Sequence, residues 1–191
     1  IHPNTTKILW LLFLSLNTVA QKTAPILPGA YQTATYMPLL KNKRVGLFTN
    51  HTATVGKKHL IDTLLASGIQ IQKVFTPEHG LRGTADAGEK TKDGIDEATG
   101  VKIVSLYGKK YGPSEEDLKD VDVLLFDIQD VGSRFYTYIS SLQYYMEAAW
   151  ANNKPLVILD RPNPNGHYVD GPVLEKPFSS FVGKQSIPTV Y

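Results

Sequence analysis

The chain has 191 residues, of which 42% are hydrophobic and 20% are charged, so it can bury a sizeable core. Its 20 basic and 18 acidic side chains leave a formal charge of +2, which argues against a nucleic-acid-binding protein with a basic face. The chain contains no cysteine, which excludes disulfide scaffolds, cysteine-ligated zinc, iron–sulfur clusters and thiol nucleophiles.

The amino end is typical of a secretory signal peptide. An apolar run over residues 8–16 follows Lys7 and precedes Thr18-Val19-Ala20, which is a small-residue cleavage pattern. The run has about half of the roughly 20 residues that a membrane-spanning helix needs. We therefore predict a signal peptide over residues 1–20, an exported protein that is periplasmic or secreted, and no membrane span after cleavage.

Strands and helices are predicted to alternate in the first half of the remaining chain. Residues 44–49 form a short apolar run that predicts a strand, and residues 58–67 carry aliphatic side chains on one face, which predicts a helix. Residues 69–75 and 101–106 predict two further strands, separated by a polar, glycine-rich loop over residues 80–100. Loops longer than about 12–15 residues are usually functional lids or disordered, so we expect this loop to cover a site or to be mobile.

The second half continues the alternation. The segment from Ser114 to Asp117 resembles a capping box that opens a short helix, and residues 121–128 are typical of a strand buried on both faces. Residues 135–149 carry apolar side chains at three- and four-residue steps, which predicts a long amphipathic helix. Residues 155–159 predict the next strand.

This pattern predicts an α/β fold with a Rossmann-like, open and mostly parallel sheet covered by helices on both faces. We place the α/β domain at residues 44–175, after a lead-in segment at residues 21–43. Residues 176–191 are expected to start a C-terminal domain, and most of that second domain is expected to be missing from this chain, which we interpret as a fragment.

Several common chemistries lack their motifs. The glycines between residues 46 and 56 have the wrong spacing for a dinucleotide, and Glu89 stands where a phosphate-binding loop would place its lysine. Gly132-Ser133 lacks the flanking glycines of a serine-hydrolase elbow. The histidines have no paired metal-ligand spacing, so we predict no metal and no cofactor.

Polar residues that follow the strands are the remaining candidates, because ligands of open α/β sheets bind beyond the carboxyl ends of the strands. Glu78 follows Pro77 at such an end, and partial burial beside Phe75 and Leu81 would keep it protonated, as a general acid requires. The alternative is that the Glu78 carboxylate caps the loop that follows it.

Three aspartates, Asp127, Asp130 and Asp160, end the next two predicted strands. One of them could activate water or stabilise a developing positive charge, and one could simply accept hydrogen bonds from a neighbouring loop. Their roles cannot be separated from sequence alone.

Ser133-Arg134 is predicted to lie where the long helix begins, which would suit a carboxylate or phosphate. The alternative is that Arg134 pairs with Asp130 or Asp127. Among the tyrosines of this region, Tyr136 lies off the main apolar stripe and is expected to face the ligand.

Six motifs of the chain resemble the exo-β-N-acetylmuramidase family, glycoside hydrolase family 171, which was formerly a bacterial domain of unknown function. They are PGA at 28–30, LLKNKRVGL at 39–47, TNHT at 49–52, TPEHGLRG at 76–83, DIQDVGSRFYTY at 127–138 and LDRPNP at 159–164. The resemblance implies a two-domain, exo-acting glycosidase whose cleft lies between a Rossmann-like amino domain and a smaller carboxyl domain. Such an enzyme removes N-acetylmuramic acid from the non-reducing end of peptidoglycan fragments.

The resemblance also implies a set of site residues. It makes Glu78 the catalytic residue, and we assign Asp127 as its partner carboxylate and His79 as a further catalytic residue. The expected substrate-binding residues are Asn50, Arg134, Tyr136, Asp160, Arg161 and Asn163. The expected partner is a small saccharide, a fragment of peptidoglycan that carries N-acetylmuramic acid linked to N-acetylglucosamine.

Our mechanistic hypothesis has Glu78 protonating the glycosidic oxygen while Arg134 holds the lactyl carboxylate of the sugar. Two alternatives from other classes stay open. One is a periplasmic module that binds cell-wall sugars without cleaving them, because a fold does not fix a function. The other is a carbohydrate esterase or amidase, which would release acetate or peptide instead of free sugar.

Overall fold

A computed structural model of the chain describes residues 26–83 and 92–191. The predicted signal peptide and residues 84–91 of the predicted loop lie outside the described residues. Within the described ranges, no helix combines the length and the apolar character that crossing a membrane requires.

Strands and helices alternate in the described residues. The strands are β1 (Arg44–Thr49), β2 (Thr54–Val55), β3 (Lys58–His59), β4 (Gln70–Thr76), β5 (Gly94–Ile95), β6 (Lys102–Ser105), β7 (Val123–Asp127) and β8 (Leu156–Ile158). The helices are α1 (Thr33–Leu40), α2 (Leu60–Ala66), α3 (Glu115–Leu118) and α4 (Tyr138–Ala151). Short 3₁₀ turns lie at Gly29–Tyr31 and Lys176–Phe178.

Six of these strands form one sheet in the order β5-β6-β4-β1-β7-β8. The pairs β6–β4, β4–β1, β1–β7 and β7–β8 are parallel, and β5 pairs with β6 in the antiparallel sense. The strands β2 and β3 form a separate two-stranded ribbon. The mostly parallel α/β sheet predicted from the alternation is confirmed.

Helices cover both faces of the sheet, as predicted. Successive side chains of a strand point to opposite faces, so Val45 and Leu47 of β1 pack in the cluster that contains α1 and α2. Phe48 packs in the opposite cluster with Tyr145 of α4, and the Tyr145 hydroxyl donates to the Gly46 carbonyl at 2.8 Å. The helix α4 is thereby fixed across the middle of β1.

Two helix starts differ from the sequence prediction. Residues 58–59 pair with β2 and precede α2 instead of opening it. The helix α4 begins at Tyr138, so Ser133-Arg134 does not lie at a helix start as expected. The reason is a distant contact, because the Arg134 amide donates to the Thr189 carbonyl at 2.9 Å and Ser133 forms a β-bridge with Val190.

The capping box predicted at Ser114 is confirmed. The Ser114 side chain accepts from the Asp117 amide, and the Asp117 side chain accepts from the Ser114 amide. The predicted strands at residues 69–75, 101–106, 121–128 and 155–159 appear as β4, β6, β7 and β8. The first is shifted by one residue, and each of the others is shorter by two or three residues. The predicted loop over residues 80–100 contains the short strand β5.

Residues 176–191 pack on the α/β unit. Gln185 donates to the Ile139 carbonyl of α4 at 3.1 Å, and the Tyr191 amide donates to the Gly132 carbonyl at 3.0 Å. The segment is therefore held against the loop that precedes α4. That residues 176–191 begin a further domain stays a prediction.

Candidate active site

The carboxyl ends of the parallel strands bring together residues that are distant in sequence. Asn50 follows β1, Glu78 follows β4, Tyr107 follows β6, Asp127 ends β7 and Arg161 follows β8. Because these strands run in the same direction, all five residues lie at one edge of the sheet. This edge is where an open α/β sheet binds its ligand.

An open cavity of about 370 Å³ lies at this edge, which is within the size range of small-molecule sites. Its lining consists of Glu78, His79, Phe135, Tyr136, Thr137 and Tyr138. One carboxylate and three aromatic rings therefore share the cavity. Among the described residues, no group of three or more histidine, aspartate or glutamate side chains could hold a metal ion.

The backbone at Glu78 has an unusual shape. His79 has a φ of 69° and Gly80 a φ of 70°, so two consecutive residues adopt the left-handed conformation. For a non-glycine residue this conformation costs roughly 1–2 kcal/mol, and such strain is typical of functional sites. The turn, closed by a 3.2 Å hydrogen bond from the Gly80 amide to the Pro77 carbonyl, presents Glu78 and His79 to the cavity.

Arg82 anchors the loop that follows Glu78. Its guanidinium donates to both carboxylate oxygens of Asp96, at 3.1 and 2.7 Å, and the Asp96 side chain is nearly buried. Hydrogen bonding by Arg82 holds the pKa of the Asp96 carboxyl below its usual value. The loop is thereby tied to the region of β5 and β6 on the neighbouring part of the sheet.

Two tyrosines lie close to Glu78. Burial, a side-chain hydrogen bond to Glu78 and the charge of Glu78 together raise the pKa of Tyr107. Burial also raises the pKa of Tyr138, and the nearby charge of Glu78 adds to that increase. The carboxyl of Glu78 therefore lies among phenolic side chains.

Asn50 is fully buried behind this cavity, beside Tyr138. Its Oδ1 accepts from the amide and the hydroxyl of Thr52, at 3.0 and 2.7 Å. A side-chain hydrogen bond between Asn50 and Tyr138 opposes the rise in the pKa of Tyr138 that burial causes. An amide buried at this position can also bind a ligand or an ordered water.

Asp127 and Arg161 form a buried ion pair at the same edge. The guanidinium donates to both carboxylate oxygens of Asp127, at 2.5 and 2.8 Å, and also to the Thr54 carbonyl at 3.1 Å. Asp127 is fully buried and Arg161 is 9% exposed, and neither lines the cavity that contains Glu78. These contacts do not support the expected role of Asp127 as a partner carboxylate that reaches the substrate.

Arg134 is turned toward the C-terminal segment. Its guanidinium donates to the carbonyls of Pro172 and Ile187 and approaches the Thr189 hydroxyl at 3.4 Å. The alternative pairing of Arg134 with Asp130 or Asp127 is wrong, because Asp127 binds Arg161. Asp130 instead accepts from the Tyr191 hydroxyl at 2.9 Å.

Two other residues that were expected to bind the sugar, Asn163 and Asp160, also lie outside the cavity. Asn163 donates through Nδ2 to the Tyr191 carbonyl at 2.6 Å, so it fixes the end of the described chain. Asp160 is exposed and lines a separate hollow of about 260 Å³ between α1 and β8. Of the expected site residues, the structure brings together Glu78, His79 and Tyr136 in one cavity, with Asn50 behind it.

Sequence reasoning missed Phe135 as a neighbour of Glu78. Phe135 was expected on the apolar stripe of a helix, but it precedes α4 and is 55% exposed beside Tyr136. Tyr107 directly follows a predicted strand, which places it at the ligand edge from sequence alone, although it was not chosen as a site residue.

Comparisons with known proteins agree with this geometry. The family model for the N-terminal part of the exo-β-N-acetylmuramidase NamZ matches residues 45–191. A peptidoglycan β-N-acetylmuramidase NamZ from Bacillus subtilis (strain 168) is 50% identical over 156 residues, which make up 80% of this chain and 38% of that protein.

Two crystal structures of DUF1343 family proteins from Bacteroides fragilis NCTC 9343 are also similar. One is 48% identical with a TM-score of 0.76, and the match covers 87% of this chain and 43% of that chain. The other is 42% identical with a TM-score of 0.77, and the match covers 86% and 42%. The chain thus spans about two fifths of the length of these relatives.

Proposed function

Because the chain belongs to the exo-β-N-acetylmuramidase family, as its N-terminal part, we propose that the protein is an exo-acting glycosidase. It hydrolyses the β-1,4 bond of N-acetylmuramic acid at the non-reducing end of peptidoglycan fragments. The observation that carries this proposal is the cavity in which Glu78 stands among Phe135, Tyr136 and Tyr138. A carboxylic acid beside aromatic faces suits a sugar whose glycosidic oxygen must be protonated.

In the proposed reaction Glu78 is the general acid. Its proton passes to the glycosidic oxygen as the bond from that oxygen to the anomeric carbon breaks, and the electron pair of the bond stays on the oxygen. His79 holds the strained turn that orients Glu78 and lies in the same cavity. Tyr136, which is 49% exposed there, offers a face to the sugar ring.

Asp127 has a positioning role in this proposal, in place of its expected role as second carboxylate. Both of its oxygens accept from Arg161, which also donates to the Thr54 carbonyl, so the pair connects the end of β7, the loop after β8 and the strand β2. Glu78 is the one carboxylate among the described residues that line the cavity. One such acid suffices where the N-acetyl oxygen of the substrate itself attacks the anomeric carbon. Water then opens the cyclic intermediate to give free N-acetylmuramic acid, and a proton from that water returns to the Glu78 carboxylate.

The proposed substrate is a polymer of the bacterial cell wall, which lies outside the cytoplasm. We therefore propose that the protein is exported to the periplasm or secreted. The apolar run over residues 8–16, followed by small residues, supports this proposal.

The test is the release of N-acetylmuramic acid from its β-1,4-linked disaccharide with N-acetylglucosamine, with chitobiose as the comparison substrate. We expect the natural protein to cleave the muramic-acid disaccharide and not chitobiose. The variant Glu78→Gln should lose about 10²–10⁴-fold in kcat, which is the usual contribution of a general acid. Glu116→Gln makes the same change on an exposed side chain of α3 and should be silent.

Other outcomes separate the alternatives. A folded protein that binds the disaccharide without turnover would be a binding module. Release of acetate or peptide in place of free sugar would identify an esterase or amidase. Full activity of Glu78→Gln on the disaccharide would show that Glu78 is not the general acid.

A further inference from the structure

The register of the sheet places Tyr107 beside Glu78. In the parallel pair of β4 and β6, Thr76 lies opposite Ser105, and the Leu106 amide donates to the Thr76 carbonyl at 2.8 Å. Glu78 and Tyr107 each lie two residues beyond this paired position. Both side chains therefore leave the sheet at the same edge, from adjacent strands.

Burial raises the pKa of Tyr107, and a side-chain hydrogen bond to Glu78 and the charge of Glu78 add to that increase, which indicates that the phenol lies beside the carboxyl group. The turn that carries Tyr107 is itself fixed, because the Tyr107 amide donates to the Ser105 hydroxyl at 3.3 Å and Gly108 takes a φ of 94°. A phenol held in this way can donate to an oxygen of the carboxyl group.

Phe181 of the C-terminal segment packs against the ring of Tyr107. Their centroids are 6.2 Å apart, and Phe181 stacks on Tyr111 at 3.9 Å with an interplanar angle of 18°. Tyr144 of α4 closes the group from the other side, with the Lys184 ammonium 3.8 Å from the centroid of its ring. We call Tyr107, Tyr111, Tyr144 and Phe181 the aromatic cluster.

The segment that carries Phe181 is anchored independently of these rings. Gln185 donates to the Ile139 carbonyl and to the side-chain oxygen of Gln143, at 3.1 and 3.0 Å. These contacts of Gln185 hold the segment against α4, and the Phe181 ring packs against Tyr107 from this anchored segment.

We propose that Tyr107 is a positioning residue for Glu78, and that Phe181 holds the Tyr107 ring in the orientation that this contact requires. The proposal rests on the proposed function, in which Glu78 is the general acid. It adds to the site a tyrosine and a phenylalanine that lie outside the cavity lining, 29 and 103 residues beyond Glu78 along the chain.

The hydrogen bond from Tyr107 to Glu78 is expected to strengthen in the transition state. As Glu78 gives its proton to the glycosidic oxygen, negative charge develops on the carboxyl group. A hydrogen bond to a charged acceptor is roughly twice as strong as one to a neutral acceptor. The Tyr107 hydroxyl, which stays protonated throughout, therefore binds the transition state more strongly than the ground state, and such interactions raise kcat.

The test compares two leaving groups in the natural protein and in Tyr107→Phe. The disaccharide releases N-acetylglucosamine, whose 4-oxygen needs a proton in order to leave, whereas a dinitrophenyl β-N-acetylmuramide releases a stable phenolate that needs almost none. We expect Tyr107→Phe to lose about 10–100-fold in kcat on the disaccharide with little change in KM, in the range of a hydrogen bond to a charged group. On the dinitrophenyl substrate the loss should stay below about threefold.

Matched variants test the role of Phe181. Phe181→Ala should show the same selective loss of kcat on the disaccharide. Phe181→Trp retains an aromatic ring at this position and should keep most of the activity of the natural protein. Tyr168→Phe removes a hydroxyl from an exposed tyrosine outside the site and should behave like the natural protein on both substrates.

Two results would overturn the inference. One is an equal loss of Tyr107→Phe on both substrates, which indicates a general structural effect. The other is full activity of Tyr107→Phe on the disaccharide while Glu78→Gln is inactive, which leaves the proposed function intact and removes Tyr107 from it. A natural protein that fails to cleave the disaccharide would instead refute the proposed function itself.

Discussion

At the residue scale, the environment of each carboxylate decides what it can do. Glu78 follows β4 and Asp127 ends β7, yet Glu78 lines an open cavity and Asp127 is fully buried against Arg161. Both oxygens of Asp127 accept from the Arg161 guanidinium, and its side chain does not line the cavity that contains Glu78. The ion pair instead connects β7 to the loop after β8 and to the ribbon at Thr54.

Breaking the buried pair of Asp127 and Arg161 is expected to cost more stability than breaking an ion pair nearer the surface. Arg161→Ala leaves the Asp127 charge buried without a partner, so we expect the free energy of unfolding to fall by about 3–5 kcal/mol. Urea unfolding at pH 7 measures this loss. Arg44→Ala removes a guanidinium from the half-exposed pair with Asp122 and should cost less. Similar losses in the two variants would contradict the importance of burial.

At the element scale, the start of α2 depends on the protonation state of His59. The ring donates from Nε2 to the Asn50 carbonyl at 2.8 Å and accepts from the Ile61 amide at Nδ1, at 3.2 Å. This pattern requires the neutral ring, because a protonated Nδ1 could not accept. Burial is the main cause that lowers the pKa of His59 below its ordinary value of 6.5.

The His59 cap predicts a loss of stability in mild acid. Because the pKa of His59 is lower in the folded state, the unfolded chain binds the proton more readily, so stability falls as the pH falls through about 6.5. Urea midpoints between pH 8 and pH 5.5 measure the effect. His59→Asn retains a good helix-capping residue and should flatten this dependence. An identical pH dependence in the two proteins would rule out His59 as its source.

At the scale of the whole molecule, residues 176–191 complete the surface around the site. They supply Phe181 to the aromatic cluster and accept hydrogen bonds from Arg134 through the backbone at Ile187. Val190 pairs with Asp170 in both directions, at 3.2 and 2.9 Å. Arg134 thus links the loop before α4 to a segment more than 50 residues away in sequence.

This arrangement predicts that Arg134 controls the order of the C-terminal segment. In Arg134→Ala, we expect the amide of Val190 and that of Tyr191 to exchange hydrogen at least tenfold faster, because the carbonyls at Pro172 and Ile187 lose their donor. Hydrogen exchange followed by mass spectrometry measures this, with peptides from β1 as internal reference. Lys176→Ala, at an exposed position of the same segment, is the control.

The same variant tests the sugar-binding role expected from the sequence. If Arg134 held the lactyl carboxylate, Arg134→Ala would weaken the preference for the muramic-acid disaccharide over chitobiose. Its contacts with backbone carbonyls predict instead that activity falls without a change in preference. Unchanged exchange at Val190 together with a lost preference would favour the carboxylate role.

The sequence alone determined most of the sheet and the location of Glu78. Apolar runs bounded by turn residues identify five strands, β1, β4, β6, β7 and β8. Each of these strands is buried on one or both faces, and burial requires apolar residues that a short window of sequence shows. The motif around Pro77 and Glu78 is equally local. Polar residues that directly follow parallel strands are then predicted to lie together at one edge of the sheet.

Only the tertiary structure decided which of those polar residues share a cavity. Arg134, Asp127 and Asn163 stand at the expected edge, but partners 28 to 55 residues away along the chain engage their side chains. The same long-range pairing moves the start of α4 to Tyr138 and brings Phe181 to Tyr107. Local patterns report burial and backbone preference, whereas hydrogen-bond partners are chosen by neighbours in space, which no window of sequence contains.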